Sequence, residues 1–295
     1  MSSPIRMIAV DIDGTLLPSV GTDISPRNCR ALTEAQASGI EIVIATGRRQ
    51  AYAKPLLIPI GLEPHTVLIT SNGTVTRTLA GDLIDRFFLP VETARALCPA
   101  LRPFGATVFT FDGEGPGELV LESLAPLHAR IALWVEANRP WIREVQPLER
   151  AFDSGEAPVQ AMVCGALEAM ARAVASLAAG DLAPHIAMHR TEYPARDLTI
   201  LDILPPGCSK GTALERHAQR RGISREAILA IGDNWNDLEM LQAAGHAVVM
   251  ANGAPDLVAM ARRVGWTVAP ANNADGVAAV VESVLAQTRV SGMVE

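Results

Sequence analysis

Residues 7–15 read Met-Ile-Ala-Val-Asp-Ile-Asp-Gly-Thr, an apolar run that stops at two closely spaced carboxylates. An uninterrupted apolar run such as Met7–Val10 is typical of a strand that is buried on both faces of a parallel sheet. Further along, Ser25 and Pro26 provide an N-cap and a first-turn proline, which together predict a helix that runs towards Gly39. The stretch therefore predicts the first strand and the first crossover helix of an α/β fold.

The alternation of strands and helices continues outward from this start. Apolar runs at 40–45 and 66–70 each stop at a polar turn. Late in the chain the same pattern predicts helices at 210–221, 238–244 and 276–285, and strands at 227–231 and 247–250. Strands that alternate with helices predict right-handed crossovers and a Rossmann-like, doubly wound parallel sheet. We therefore expect a three-layer α/β/α core.

The middle of the chain, residues 84–199, differs in character. It holds most of the aromatic residues, and the alternating runs at 107–111 and 198–203 predict strands of a separate sheet. We therefore expect a core formed by residues 1–83 and 200–295, with 84–199 inserted into it as a second α/β domain.

The composition restricts the class of protein. The chain is 49% hydrophobic and 19% charged, which allows a large buried core and excludes intrinsic disorder. A net charge of −7 without a Lys/Arg run argues against a nucleic-acid partner. No apolar stretch approaches the length of a membrane span and no leader-like segment opens the chain, so we expect no membrane association and a cytoplasmic location. Four scattered cysteines without metal-ligand spacing predict buried, reduced thiols.

Polar side chains follow the predicted strands at the edge where open α/β sheets bind ligands. These clusters are Asp11/Asp13, Thr46/Gly47 and Asp233/Asn236/Asp237, to which Lys210 is added at the start of a predicted helix. Because a phosphate ester repels an attacking carboxylate, such an attack requires a divalent cation. Hard oxygen ligands suit Mg²⁺. The clusters therefore indicate a site for metal-assisted phosphoryl transfer.

Four short motifs resemble those of the haloacid-dehalogenase-like (HAD) superfamily of phosphoaspartate hydrolases, and they occur in the family order. They are Asp11-Ile12-Asp13-Gly14-Thr15, Ile44-Ala45-Thr46-Gly47-Arg48, Ser209-Lys210-Gly211 and Gly232-Asp233-Asn234-Trp235-Asn236-Asp237. The insertion between the second and third motifs is similar to that of the Cof-type sugar-phosphate phosphatases, as are Asn72-Gly73, Asn252-Gly253 and the segment 272–277. The resemblance extends over most of the chain but is thin through the insertion.

The resemblance implies a role for each of these residues. Asp11 would attack phosphorus, Asp13 would act as general acid and then general base, and Lys210 would offset the phosphate charge and keep Asp11 ionised. Mg²⁺ would be bound by Asp11, by Asp233 and by the main-chain oxygen of Asp13. The phosphorylated substrate would be bound by Ile12, Thr46, Gly47, Lys210 and Asn236, with Thr15, Arg48 and Asp237 supporting the site.

Each motif taken alone also has an ordinary structural interpretation, as a turn or as a helix N-cap. Their joint occurrence favours a Mg²⁺-dependent phosphatase that hydrolyses small phosphorylated metabolites, sugar phosphates in particular, with the inserted domain as its cap. Two alternatives stay open. One is a phosphomutase or phosphotransferase of the phosphomannomutase type, and the other is a non-catalytic phosphosugar-binding protein. The sequence leaves open whether the protein is a monomer or a homodimer.

Overall fold

The computed structural model describes residues 4–113 and 115–291. The chain divides into two compact units, the first formed by Met1–Ile84 with Lys210–Glu295 and the second by Asp85–Ser209. The first boundary lies one residue from the expected position. The second boundary lies ten residues beyond its expected position. The strand expected at 198–203 belongs to the sheet of the second unit, and the segment that follows it, up to Ser209, belongs to the same unit.

The N-terminal part of the first unit begins with the predicted strand and helix. Its elements are β1 (Met7–Val10), α1 (Pro26–Ala37), β2 (Glu41–Ala45), α2 (Gln50–Leu57), β3 (Val67–Thr70), β4 (Val75–Thr78) and β5 (Leu83–Arg86). Ser25 caps α1, since its hydroxyl accepts a hydrogen bond of 3.1 Å from the Asn28 amide, and Pro26 is the first helical residue. The strands β4 and β5 were not predicted.

The second unit is a separate α/β domain. Its elements are α3 (Val91–Leu101), β6 (Thr107–Thr110), β7 (Leu119–Leu121), α4 (Ala125–Asn138), β8 (Ile142–Glu144), β9 (Gln160–Gly165), α5 (Leu167–Ala179), β10 (Ala187–Tyr193) and β11 (Leu198–Leu204). They form a six-stranded sheet in the order β10-β11-β9-β6-β7-β8. Phe109 packs with α3 and α5 on one face, whereas its neighbour Val108 packs with α4 on the other. Helices therefore cover both faces of this sheet.

The rest of the first unit completes the larger sheet. Its elements are α6 (Lys210–Arg221), β12 (Ile228–Gly232), α7 (Leu238–Ala243), β13 (His246–Met250), α8 (Pro255–Val264), β14 (Thr267–Ala269) and α9 (Gly276–Ser291). The strand order is β14-β13-β12-β1-β2-β3-β4-β5. The six strands from β14 to β3 are parallel, whereas β4 pairs antiparallel with β3. The predicted parallel sheet is therefore extended at this edge by a short antiparallel hairpin.

The alternating side chains of β1 show the three layers. Ile8 and Val10 pack with α1 and α9 on one face of the sheet, while Met7 and Ala9 pack with α6 and α7 on the other. All four side chains are fully buried. Burial on both faces accounts for the uninterrupted apolar run, since each buried side chain contributes about 25 cal/mol per Å² of apolar surface removed from water. The predicted α/β/α fold class is confirmed.

The four cysteines are free thiols. Three of them are buried as expected, but Cys29 is only half-buried. Burial raises the pKa of the Cys98 thiol to about 12 and that of the Cys164 thiol to about 11. Within residues 4–113 and 115–291, no helix is both long and apolar enough to cross a membrane.

Candidate active site

The strand register brings the motif loops to one edge of the larger sheet. Val10, the last residue of β1, pairs with Ile231 of β12 on one side and with Ile44 of β2 on the other. The first, second and fourth motifs therefore leave the sheet side by side, at the carboxyl ends of the parallel strands. The amide of Asp11 continues the ladder by donating to the Ile231 carbonyl at 3.0 Å.

Lys210 joins the first and fourth motifs through its ammonium group. Its side chain is fully buried, and its Nζ donates one hydrogen bond of 2.6 Å to Asp11 Oδ1 and another of 2.6 Å to Asp237 Oδ1. A buried ammonium is stable only when it is paired in this way. These two bonds use two of the three N–H donors of Lys210.

Asp237 is engaged within its own loop as well. Its Oδ2 accepts hydrogen bonds from the amides of Asp233 (2.9 Å) and Asn234 (3.1 Å). Gly232 allows this compact turn, because a Cβ there would lie 2.6 Å from the Cβ of Asp237. The contacts of Asp237 are those of a residue that positions Lys210 and Asp233.

Three buried carboxylates form a group that fits a divalent cation. Oxygen atoms of Asp11, Asp233 and Asp237 all lie within 4.8 Å of one another. Three carboxylates against the single ammonium of Lys210 leave a formal charge of −2 in a buried place. A divalent cation would neutralise this charge, and carboxylate oxygens are the ligands that Mg²⁺ prefers.

The pKa values of the buried carboxyls reflect this excess of negative charge. Burial and the nearby Asp237 raise the pKa of Asp11 to about 7, although Lys210 acts in the opposite direction. Burial and the neighbouring carboxylates raise the pKa of Asp233 well above its usual range. The expectation that Lys210 keeps Asp11 ionised therefore gives only part of the balance. Lys210 lowers the pKa, but burial and the other carboxylates outweigh it when no cation is bound.

The tight turn after Asp11 brings the first motif against the fourth. Gly14 has φ +78°, and a Cβ at this position would lie 2.3 Å from Asp233 Oδ2. The hydroxyl of Thr15, expected to support the site, donates to Asp233 Oδ1 at 3.4 Å. Both residues thus act on the position of the Asp233 carboxylate. Ile12 has a fully buried side chain in the core, so only its backbone can contact a ligand.

Asp13 is held by the second motif instead of by Lys210. Arg48 donates two hydrogen bonds to it, from Nε to Oδ2 at 2.7 Å and from its terminal nitrogen to Oδ1 at 2.5 Å. The guanidinium lies 4.3 Å from the centre of the Tyr52 ring. Burial lowers the pKa of Arg48, but the contact with Asp13 outweighs it and raises the pKa. The Asp13 carboxylate is 41% exposed, so it is accessible to a ligand.

Asn72 connects the expected phosphate-binding residues. Its Oδ1 accepts a hydrogen bond of 3.1 Å from the Asn236 side chain, and its backbone N–H donates to the Thr46 carbonyl at 3.1 Å. A Cβ at Gly47 would lie 3.1 Å from the Asn72 side chain, so a larger residue there would require this side chain to shift. Asn72 was not among the predicted site residues, although Asn72-Gly73 was part of the resemblance. Its φ of 52° suits Asn, which tolerates the left-handed region.

A second asparagine pair, Asn252 and Asn272, is hydrogen bonded to the backbone of the first motif and of the residues that follow it. The Asn252 side chain donates to the Gly14 carbonyl at 2.8 Å, and its Oδ1 accepts from the backbone N–H of Asn272 at 2.7 Å. Asn272 in turn donates to the Leu17 carbonyl at 2.8 Å. These residues also belong to the quoted resemblance, but their contacts could not be read from it.

Comparison with known proteins agrees with this geometry. A family model described as haloacid dehalogenase-like hydrolase matches residues 8–281. The chain is 30% identical over 297 residues to the 5-amino-6-(5-phospho-D-ribitylamino)uracil phosphatase YwtE of Bacillus subtilis (strain 168), covering 95% of this chain and 98% of that protein. It is 29% identical over 254 residues to an HMP-PP phosphatase of Serratia proteamaculans (strain 568), covering 85% and 86%.

Solved structures show the same fold. The phosphatase BT1666 from Bacteroides thetaiotaomicron, of the haloalkanoate (HAD) enzyme superfamily, matches with a TM-score of 0.76 and 26% identity over 95% of each chain. SMU.1108c from Streptococcus mutans UA159 has a TM-score of 0.80 and 20% identity over 96% of this chain and 99% of that one. This chain therefore belongs to the haloacid dehalogenase-like hydrolases, and the predictions of a Cof-type member and of a phosphoric monoester hydrolase are confirmed.

Proposed function

We propose that the protein is a Mg²⁺-dependent phosphatase that hydrolyses small phosphorylated metabolites, sugar phosphates in particular, through an aspartyl-phosphate at Asp11. The observation that carries the proposal is the placement of the Asp11 carboxylate at the end of β1. Its Oδ1 is fixed by the buried Lys210, while its Oδ2 has no hydrogen-bond partner among the described residues. A carboxylate that is fixed by one oxygen and free at the other suits a nucleophile.

In the first half of the reaction, Asp11 Oδ2 forms a bond to phosphorus as the bond from phosphorus to the ester oxygen breaks. Asp13 in its protonated form gives its proton to the departing oxygen so that an alcohol leaves, and it becomes the carboxylate that Arg48 binds with two hydrogen bonds. In the second half, Asp13 takes a proton from water as the water oxygen attacks phosphorus. Inorganic phosphate leaves and Asp11 is free again.

The residues around Asp11 would bind the phosphoryl group and the cation. Phosphate oxygens would be held by Thr46, Gly47, Lys210, Asn236 and the backbone of Ile12. Mg²⁺ would be held by Asp11, the main-chain oxygen of Asp13 and Asp233, with Asp237 supporting. When bound, Mg²⁺ would neutralise the charge of the phosphoryl oxygens.

The relatives support a small phosphorylated metabolite as substrate. The Bacillus subtilis relative is named for a uracil derivative with a phosphorylated ribityl chain, and the Serratia relative is named for HMP-PP. We propose that the second unit acts as a cap that selects the organic part of the substrate. A cytoplasmic location is part of the same proposal.

Hydrolysis of p-nitrophenyl phosphate tests the proposal. We expect turnover with Mg²⁺, none with excess chelator, and a loss of at least about a thousandfold in Asp11→Asn, which lacks the nucleophile. Asp256→Asn, the same change at an exposed residue of the first unit, is the control and should keep full activity. Turnover that requires an added phosphate acceptor would instead indicate the phosphotransferase. Phosphosugar binding without any turnover would indicate the binding protein.

A further inference from the structure

The turn that follows β3 has an unusual backbone. Ser71, Asn72 and Gly73 have φ values of 47°, 52° and 99°, so three consecutive residues lie in the left-handed region. Residues other than glycine and asparagine seldom adopt this region, and Ser71 is therefore strained. Such strain persists only where the surrounding structure imposes it, and it is concentrated at functional sites. The contacts of the turn therefore bear on its role.

Two successive N–H groups of the turn donate to the second motif. The Ser71 N–H donates to the Arg48 carbonyl at 2.9 Å, and the Asn72 N–H donates to the Thr46 carbonyl at 3.1 Å. Thr46 and Arg48 are the two chain neighbours of Gly47. The turn thus holds the backbone of the second motif on both sides of Gly47.

One of these bonds determines the direction of the Gly47 N–H. The Thr46 carbonyl and the Gly47 N–H belong to the same trans peptide group, in which the two bonds point in opposite directions. Because the carbonyl is bonded to Asn72, the N–H points away from the turn. This N–H is one of the donors proposed above for a phosphate oxygen. Asn72 therefore fixes the direction of that donor through its backbone.

The side chain of Asn72 holds a second proposed phosphate donor. Its Oδ1 accepts the hydrogen bond of 3.1 Å from Asn236 Nδ2, which fixes the orientation of the Asn236 amide. Asn72 and Asn236 are 1% and 8% exposed, so bulk water does not compete for this bond. One residue thus holds a backbone donor of the second motif and a side-chain donor of the fourth.

We propose that Asn72 is a positioning residue that aims the Gly47 N–H and the Asn236 side chain at the same phosphoryl group. The proposal rests on the proposed function. Donors that are fixed before the reaction stabilise the transition state without reorganisation. Asn suits the position because it tolerates the left-handed backbone and carries a side-chain acceptor. Gly offers only the first of these properties, and Ala offers neither.

The test measures p-nitrophenyl phosphate hydrolysis, and its inhibition by inorganic phosphate, in Asn72→Gly and Asn72→Ala. A variant that only folds less well has fewer active molecules, which lowers kcat but leaves the inhibition constant of phosphate unchanged. We expect this constant to rise about tenfold in Asn72→Gly, which loses the bond to Asn236. It should rise further in Asn72→Ala, because Ala disfavours the left-handed backbone and the bond to the Thr46 carbonyl is lost as well.

A double-mutant cycle tests whether the Asn72 side chain acts through Asn236. Asn72→Gly should add little to Asn236→Ala, because the bond between the two side chains is already lost in the single variant. We expect the phosphate inhibition constant of the double variant to lie within about twofold of that of Asn236→Ala. Losses that multiply in the double variant, or equal constants in Asn72→Gly and Asn72→Ala, would overturn the proposed double role.

The matched control is Asp197→Gly. Asp197 is also left-handed, with φ 43°, and its Oδ1 accepts one hydrogen bond of 3.1 Å, from the Leu167 N–H. It belongs to the second unit and to none of the four motifs. This variant should leave the inhibition constant of phosphate unchanged. A constant that is also unchanged in Asn72→Gly would overturn the positioning role.

The outcome for the wild type separates this inference from the proposed function. If wild type hydrolyses p-nitrophenyl phosphate, the proposed function stands whatever the Asn72 variants do. If it does not, the proposed function fails, and the melting temperature with Mg²⁺ and inorganic phosphate decides the positioning role. A rise in wild type and Asp197→Gly that is absent in Asn72→Gly would then support it. Equal rises in all three proteins, or no rise in any, would overturn it.

Discussion

Arg48 donates two hydrogen bonds, of 2.5 and 2.7 Å, to the Asp13 carboxylate, and these bonds connect the second motif to the first. A guanidinium fits a carboxylate in this two-point geometry, whereas a lysine ammonium does not. The Arg48 side chain is 16% exposed and the Asp13 side chain 41% exposed, so the cation is enclosed while the carboxylate is open to a ligand. We interpret Arg48 as the residue that aims Asp13 at the ester oxygen.

Arg48→Lys is expected to lower kcat more for a poor leaving group than for a good one. An alkyl phosphate needs a proton on its departing oxygen, whereas p-nitrophenolate leaves without one, so a misplaced Asp13 affects the alkyl ester more. We expect about a tenfold larger loss with the alkyl ester. Arg27→Lys, at the exposed ion pair with Glu282, is the control. Equal losses for the two esters would contradict the positioning role of Arg48.

The unfolding temperature is expected to depend on Mg²⁺ and on pH together. The pKa of Asp11 is raised from 3.8 to about 7 in the folded state, so the folded protein binds more protons than the unfolded chain between these values. Stability without metal should therefore fall as pH rises from about 4 to about 7. Mg²⁺ at one hundred times its Kd should add about 2.7 kcal/mol at neutral pH.

Asp233→Asn isolates this effect, because it removes one of the repelling carboxylates and one expected Mg²⁺ ligand. Without metal, the variant should melt at a higher temperature than wild type at neutral pH, and Mg²⁺ should stabilise it far less. Thermal melts of both proteins across the pH range measure the two effects. If millimolar Mg²⁺ leaves the melting temperature of the wild type unchanged, this result would contradict a metal site at these carboxylates.

Gly14→Ala is expected to disturb the Asp233 carboxylate. The new Cβ would lie 2.3 Å from Asp233 Oδ2. The variant should need more Mg²⁺ for half-maximal activity and lose stability. Gly39→Ala is a matched control, since Gly39 has a similar φ of +86° but no atom within 4 Å of an added Cβ. It should lose only about 1–2 kcal/mol of stability from backbone strain and keep its Mg²⁺ requirement. The same Mg²⁺ requirement in both variants would count against the contact.

Glu41 is expected to stabilise the first unit in a pH-dependent way. Burial would raise the pKa of Glu41, but hydrogen bonds from His217 and Arg221 outweigh it and lower the pKa. This stabilisation is present above the usual pKa of 4.5 and is lost as pH falls through the lower folded value. Glu41→Gln should therefore lose about 1 kcal/mol in urea unfolding at pH 7 and less below pH 4.5. A difference that stays constant with pH would refute this assignment.

Much of the first unit could be predicted from its sequence, because burial on both faces leaves an uninterrupted apolar run. Strand β1 and helix α6 have the predicted bounds, and the parallel order brings Asp11 and Asp233 to one edge. The hairpin of β4 and β5 was missed. Each of its strands has only four residues, and the residues of β5 are half-buried or exposed. The hairpin therefore gives no run of buried apolar residues that could be recognised in the sequence.

The contacts between motifs could not be predicted. The pairing of Arg48 with Asp13 joins residues 35 positions apart, and that of Asn236 with Asn72 joins residues 164 positions apart. Periodicity describes which face a residue occupies, but it does not say which polar partner it meets. The second boundary of the insertion was misplaced for a related reason. The run at 198–203 was expected in the separate sheet, but only the pairing of β11 with β9 and β10 shows that the whole strand lies beyond the expected boundary, in the second unit.

The central claim is that Asp11 becomes phosphorylated during turnover, and rapid acid quenching tests it most directly. Asp13→Asn should release p-nitrophenolate but hydrolyse the intermediate slowly, because it lacks the general base. Peptide mass spectrometry of the quenched enzyme should then find one phosphoryl group on Asp11, and none in the double variant with Asp11→Asn. Steady hydrolysis by wild type without phosphorylated protein in Asp13→Asn, or with the phosphoryl group on another residue, would contradict the account.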